Sequence, residues 1–450
     1  MSGRSGLGLT EAVSMALGGM IGGGIYAVLG VVTGITGATT WFAFLLAGVV
    51  ALCAGYSYVK LNEMADQNGG SVTFVQHFTG NSTLAGMVGW TLLFGYVGSM
   101  AMYAFAFAEF GLTLPGVPDS VAGLPLRPVV SVLVVAAFVG LNLLGARATG
   151  SAENVLVGLK VAILVAFGLA GLAYGYAVSP EPTRYGFSGL TSFGPVMAAA
   201  VSFVAFQGWQ LLFYDQEGIE DARPTIRKAV YVSIPAAVLV YVLVGVVTFN
   251  LAPEAIQSNP HTALTDAAAR VGGVVGLAGA GALLVSLSAL FSTGSAINAT
   301  LFSAGYFAKG MLSKDLLPDR VGDSSASGVP RRTLLVLGAI TAAFSAVGSL
   351  GVITNFASVS FIVVFGAMSF LAFRHRDHAD VHPAPAVVGT VGAAGFLVLL
   401  SYHLYTSTPS TFYLMLLLAA AVVTVELLYF ERDVLEEEVE TLEERALDTL

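Results

Sequence analysis

Charge is what this sequence most lacks: Asp, Glu, Lys and Arg make up only 10% of its 450 residues, where a soluble domain carries about a quarter. With 56% hydrophobic side chains beside that shortage, a water-soluble enzyme, a secreted module and a disordered chain are all excluded. Cysteine is nearly absent as well. The one present, Cys53, sits in an apolar stretch, so the chain by itself offers neither a disulfide framework nor a thiolate zinc site. Cys53 reads as a small buried hydrophobe. Positive charge is scarce, with 19 Lys and Arg against 28 Asp and Glu and a net charge of −9, which argues against a nucleic-acid partner. Only five of those bases are Lys, and the isoelectric point is near 5.1. An acidic, Lys-poor exterior suits high salt.

Apolar length is abundant instead, and the mean hydropathy is +0.81. At about 20 residues per bilayer crossing, apolar stretches near 10–32, 37–60, 84–113, 128–145, 152–178, 192–216, 229–251, 274–308, 332–349, 352–373, 384–404 and 411–430 predict twelve transmembrane helices. The first is too long and too Gly-rich for a cleaved signal peptide. Positive loops stay in the cytoplasm. With a cytoplasmic N-terminus, fifteen basic residues fall inside (Arg4, Lys60, Arg147, Arg223, Arg227, Lys228, Lys309, Lys314, Arg320, Arg331, Arg332, Arg374, Arg376, Arg432, Arg445) and three outside (Arg127, Arg184, Arg270). Both termini are therefore expected in the cytoplasm of a multi-pass plasma-membrane protein whose environment is the lipid bilayer. Residues 431–450, with nine acids among Leu435, Val439 and Leu442, read as a solvated amphipathic helix.

Helix breaks in lipid occur only where protein or a cavity takes over the backbone bonding. The first span carries Gly18, Gly19, Gly22, Gly23 and Gly24 near its middle. Each Gly has about 1 kcal/mol less helix propensity than Ala, so the reading is an unwinding point, with close packing of small residues as the alternative. The sixth span holds Gln207, Gly208 and Gln210 among aromatics, polar groups that should face the protein interior. Spans one and six are five apart, the relation of matching helices in two inverted repeats. A half-helix starting after Gly22 would offer free N–H groups and a positive dipole end to a carboxylate. Carbonyls freed in span six would receive an ammonium group. That pairing suits a zwitterionic amino acid.

Five ordered motifs resemble the amino acid–polyamine–organocation family of permeases. They are GGMIGGGIY in span one, YSYVKLNEMADQNGGSVTFVQHFTG after span two, LNLLGARATGSAENVLVGLKVAIL between spans four and five, EGIEDARPTIRKAV after span six, and KGMLSKDLLPD after span eight. The chain departs from the family pattern at Asp221-Ala222, at Arg227, and in lacking the Gly of the last motif. The resemblance implies an all-α integral membrane protein with a leucine-transporter-like five-plus-five inverted repeat. Residues 1–178 would form the first repeat, 179–376 the second, 377–430 two extra helices, and 431–450 the tail. It implies a secondary amino acid transporter working by alternating access, not an enzyme, with no cofactor or metal. By the same resemblance Gly22, Gly23 and Gly24 hold the substrate carboxylate, and the carbonyls of Met20, Val204 and Gln207 receive its amino group. Ser99 in span three would line the cavity, with Phe203, Phe206 and Trp209 as walls or gates, or as plain packing. Glu109, further along, reads as a solvated acid.

Lys160 lies inside the fifth span, at the position where sodium-independent members of the family carry a Lys in place of the sodium ion. The expectation is that carbonyls of Gly18 and Gly19 and hydroxyls of Ser292 or Ser295 stabilise its ammonium group. Desolvation would favour release of its proton, coupling transport to protons. The alternatives are a fixed structural cation and a snorkelling Lys. An exchanger is the next function class. A channel would want rings of like charge, which the spans lack. The cluster His375, Asp377, His378, Asp380 and His382 reads as a solvated loop. The substrate leans to neutral or aromatic amino acids, Asp215 being the nearby acid, and no oligomeric state is specified.

Overall fold

The computed structural model describes residues 7–65, 69–144, 150–214, 216–326 and 328–430. Arg4, Arg147, Asp215, Arg432, Arg445 and the acidic tail lie outside the described residues. The apolar runs fold as helices for the reason a bilayer imposes: without water, backbone N–H and C=O groups are satisfied only by bonds within the segment. In chain order they are α1 (Leu9–Thr36), α2 (Thr40–Met64), α3 (Ser71–Thr79), α4 (Ser82–Leu112), α5 (Leu126–Leu143), α6 (Gly150–Ala177), α7 (Phe193–Val201) and α8 (Ala222–Leu251). There follow α9 (Pro253–Ser258), α10 (Ala263–Gly273), α11 (Ala278–Leu312), α12 (Arg331–Val347), α13 (Leu350–Arg374), α14 (Pro383–Ser407) and α15 (Pro409–Phe430). A two-stranded hairpin, Ser120–Val121 with Leu124–Pro125, links α4 to α5.

Among the described residues, eight segments are long and apolar enough to cross a membrane, and the first of them, Leu9–Met64, contains both α1 and α2. Local chemistry fixes several starts. The Asn81 side chain accepts from Leu84 N at 2.9 Å to cap α4, and Ser349 does the same for α13, each satisfying an amide the first helical turn leaves unpaired. At the centre is α1, packed against α6, α8, α11 and the turns that follow α7. Every residue from Gly18 to Gly30 is buried.

The expected unwinding of the first span is corrected here. From Leu9 to Thr36 α1 is one continuous helix, straight through Gly18–Gly24. Propensity alone disfavours this by about 1 kcal/mol per glycine, but an unpaired amide in a dry interior costs several. The glycines serve close packing instead. The break in the sixth span is present as expected. After Val201 the chain tightens into a 3-10 turn at Ser202–Phe206, leaves helix at Gln207–Gly208, and resumes as a second 3-10 segment at Trp209–Phe213. Gly208 has φ +136°, a conformation that L side chains rarely adopt.

Candidate functional site

The middle of α1 and the broken sixth span touch backbone to backbone. A Cβ built on Gly19 would lie 2.6 Å from Gly208 Cα, and one built on Gly208 would lie 2.7 Å from Met20 N. Neighbouring helices use the other glycines in the same way. The Gly22 Cβ position is 2.7 Å from Ala296 Cβ of α11, that of Gly24 is 2.9 Å from Ala205 O, and that of Gly23 is 1.8 Å from Cδ1 of Tyr103 of α4. The run is thus a groove in the helix surface that three partners fill.

Several α1 carbonyls in this groove take a hydrogen bond from another helix. Lys160 of α6, only 4% exposed, donates from Nζ to Gly18 O at 3.0 Å. Ser292 of α11 donates to Ile21 O at 3.2 Å. The Tyr241 hydroxyl of α8 lies 2.6 Å from Met20 O and 2.8 Å from Ala205 O, so its one proton is shared between α1 and the broken span. These bonds tie α1 to three helices at its least helix-prone stretch.

The break has its own polar shell. Ser358 of α13 donates to Val201 O at 2.6 Å and accepts from Val204 N at 3.1 Å, pairing the groups left over where α-helix becomes 3-10. Gly208 N donates to Gln210 Oε1 at 2.6 Å, Gln210 Nε2 donates to Gln207 Oε1 at 3.2 Å, and Gln207 Nε2 donates to the Tyr103 hydroxyl. All of these residues are fully buried, where an unmatched polar group costs about 1–3 kcal/mol.

The sequence-derived residues divide accordingly. Gly18, Gly19, Met20, Gly22, Gly23, Gly24, Lys160, Gln207 and Ser292 meet in this centre. Val204 O accepts from Gln207 N at 3.1 Å within the 3-10 turn. Ser99 is buried, with its hydroxyl on Gly95 O of its own helix, and Ser295 likewise bonds Ser292 O. The aromatics pack outward into the core: Phe203 against Phe365 and Phe396, Phe206 against Tyr241, and Trp209 against Tyr58, Phe213 and Phe365. Sequence reasoning missed Tyr103, Tyr241 and Ser358. The available signal was a hydroxyl in mid-span, which must find a partner there.

Both ends of the centre are closed. At the start of α1, Leu7 and Ile219 form a parallel bridge through Leu7 N to Gly218 O at 2.8 Å and Glu220 N to Leu7 O at 3.0 Å. Beside it, Asn154 of α6 donates to Glu11 Oε1 at 3.1 Å while Gly8 N donates to Glu11 Oε2 at 3.0 Å. At the opposite end the Pro260–Thr262 turn presses on α1, with Pro260 O 1.9 Å from the Cβ position of Gly30. His261 meets Phe105 edge to face at 5.6 Å, and the Arg127 guanidinium lies 4.2 Å from the centroid of that Phe105 ring. Arg127 also donates to Ser345 O and, at 3.1 Å, to Ala346 O at the end of α12.

Among the described residues, apolar helices surround a broken span that packs on α1, and Lys160 lies buried on the adjoining α6; the relatives of this chain are membrane transporters. The fold agrees with the crystal structure of a manganese transporter from Eremococcus coleocola, at a TM-score of 0.60 and 13% identity over 93% of this chain and 92% of that one. The family model for amino acid permease matches residues 7–425, and the chain belongs to this family. It is 27% identical to the inner membrane transport protein YbaT of Escherichia coli over 90% of this chain and 92% of that protein. With human Asc-type amino acid transporter 1 it shares 25% identity, over 84% of this chain and 73% of that protein. The family and these relatives are transporters, not enzymes.

Proposed function

We propose that this permease is a secondary active transporter of amino acids in the plasma membrane, working by alternating access, coupled to protons and independent of sodium. The observation that carries the reading is the Lys160 ammonium group, buried and 3.0 Å from Gly18 O, on the helix whose middle packs on the break at Gly208. A cation there bridges α6 and α1, and losing its proton weakens that bridge. Proton loss and helix movement are thereby linked. The substrate carboxylate takes the amides of Gly22–Gly24 as α1 unwinds, and three glycines lower the cost of unwinding by about 3 kcal/mol relative to alanines. The amino group takes carbonyls of Met20, Val204 and Gln207.

The same reading has twelve spans arranged as two inverted repeats of five and two more helices. Its support is that α3, between the second and third spans, and the α9–α10 pair, between the seventh and eighth, sit at opposite ends of the bundle. Lys60, Arg223, Lys309, Lys314, Arg331 and Arg374 gather at the end where α1 starts, and Arg127, Arg184 and Arg270 at the other, which supports a cytoplasmic first end.

The test is uptake of labelled amino acids into proteoliposomes under an imposed proton gradient and, separately, a sodium gradient. Uptake driven by protons and lost or made pH-independent in Lys160→Ala is the expected result. A sodium requirement, or Lys160→Ala uptake with unchanged pH dependence, overturns the coupling assignment. Exchange with neither gradient makes the protein an antiporter.

A further inference from the structure

The Tyr103 ring lies on the very face of α1 that the proposed function gives to the substrate carboxylate. Its Cδ1 and Cε1 are 1.8 and 2.0 Å from where a Gly23 Cβ would stand, so a ligand reaching Gly22–Gly24 from the α4 side must displace the ring. Gln207 holds the ring by its hydroxyl, which Ser99 also approaches, and the direction of the Gln207 link is fixed. A backbone N–H can only donate, so Gly208 N requires the oxygen of Gln210 at 2.6 Å. Gln210 then presents its nitrogen to Gln207 Oε1 at 3.2 Å, and Gln207 turns its nitrogen to the Tyr103 hydroxyl. The relay ends on an N–H donor aimed at Tyr103.

We propose that Tyr103 is a displaceable place-holder and Gln207 a specificity residue, selecting neutral amino acids whose side chains carry a hydroxyl or carboxamide oxygen. The inference rests on the transporter reading above. When the ring leaves, the fully buried Gln207 Nε2 loses its acceptor, and a substrate oxygen restores the bond. An apolar side chain of the same shape leaves the donor unpaired and is disfavoured roughly ten- to hundredfold. Lys and Arg side chains, which only donate, offer nothing to this group.

The experiment is initial-rate uptake in proteoliposomes of two near-isosteric pairs, threonine with valine and glutamine with methionine, by the wild type, Tyr103→Phe and Gln207→Leu. The expected wild-type result is a kcat/KM at least tenfold higher for the polar member of each pair. Tyr103→Phe removes the acceptor that competes with substrate, so KM falls by a similar factor for both members and the ratio is kept. In Gln207→Leu the ratio collapses to within about threefold, a loss of about 0.7 kcal/mol or more of discrimination. The wild-type ratios need no variant to fold. Equal uptake within pairs, or preference for basic amino acids, overturns this inference while leaving the transporter reading standing. No uptake of any amino acid overturns both.

Discussion

Gly23 and Gly34 lie on the same helix, and replacing each by alanine should have opposite effects. Both substitutions gain about 1 kcal/mol of helix propensity. At Gly34 nothing lies within 4 Å of the new Cβ, so the gain is kept. At Gly23 the Cβ falls 1.8, 2.0 and 2.7 Å from three ring atoms of Tyr103, where carbon atoms want about 3.5–4.0 Å. Relief requires the ring to move about 2 Å, and the ring is fully buried and hydrogen-bonded to Gln207. Overpacking of this kind costs about 1–3 kcal/mol and the lost hydrogen bond about 1 more. Gly23→Ala is therefore destabilising by about 1–3 kcal/mol and Gly34→Ala stabilising by up to 1. Denaturant unfolding in detergent micelles, with folded fraction read by tryptophan fluorescence, separates the two signs. Tyr103→Ala in the Gly23→Ala background should recover the overlap term in a double-mutant cycle. If Gly23→Ala matched Gly34→Ala, the packing argument for the continuous helix would be refuted.

At the other closed end, burial and the nearby Arg127 push the His261 imidazole below its usual value of 6.5. The neutral form is the one that fits, so its contribution to stability is complete above about pH 6.5 and is lost as pH falls through that value toward the lowered one. The stability of the wild type relative to His261→Phe in thermal unfolding should therefore fall between about pH 6.5 and 5; a constant difference contradicts the assignment. Arg127→Lys keeps the charge but not the fork that reaches two carbonyls of α12, and should cost about 1–2 kcal/mol in the same unfolding assay. Glu11→Ala removes the acceptor of both Gly8 N and Asn154. Hydrogen exchange at Leu7 and Glu220, whose amides form the adjoining bridge, should accelerate about tenfold or more, and an unchanged rate would show that the bridge stands without the carboxylate.

Much of the scaffold was legible because hydropathy and the scarcity of charge report directly on burial in lipid. The break at Gln207–Gly208 was legible for a related reason: two carboxamides at mid-span have no meaning on a lipid-facing helix. Lys160 was legible because a lone cation within 28 helical residues needs a carbonyl partner, and Gly18 supplies one. The winding of α1 was not legible. Propensity counts what a glycine lacks, whereas the outcome depends on Tyr103, Ala296 and Gly208, residues 80 to 274 positions away that only the fold brings to the groove. Tyr241 and Ser358 were invisible on the same ground, being ordinary members of apolar helices until their hydroxyls are seen to pair carbonyls of α1 and α7.

The two closures differ in kind, and this bears on which end yields first. The end where α1 begins is held by two backbone hydrogen bonds between Leu7 and the segment after the break, with Glu11 reinforcing them. Backbone bonds do not titrate. The opposite end is held by the Phe105 ring between the His261 imidazole, which meets it edge to face, and the Arg127 guanidinium over its face, and a second positive charge beside Arg127 weakens it. Acid on that side should therefore loosen the Pro260–Thr262 turn while the Leu7 bridge stays shut, giving access from one side only. Reactivity of a cysteine replacing Thr262, which is buried within that turn, in a Cys53→Ala background would report this directly. Labelling that rises below about pH 6.5 and is flat in His261→Phe supports the asymmetry; labelling independent of pH removes it.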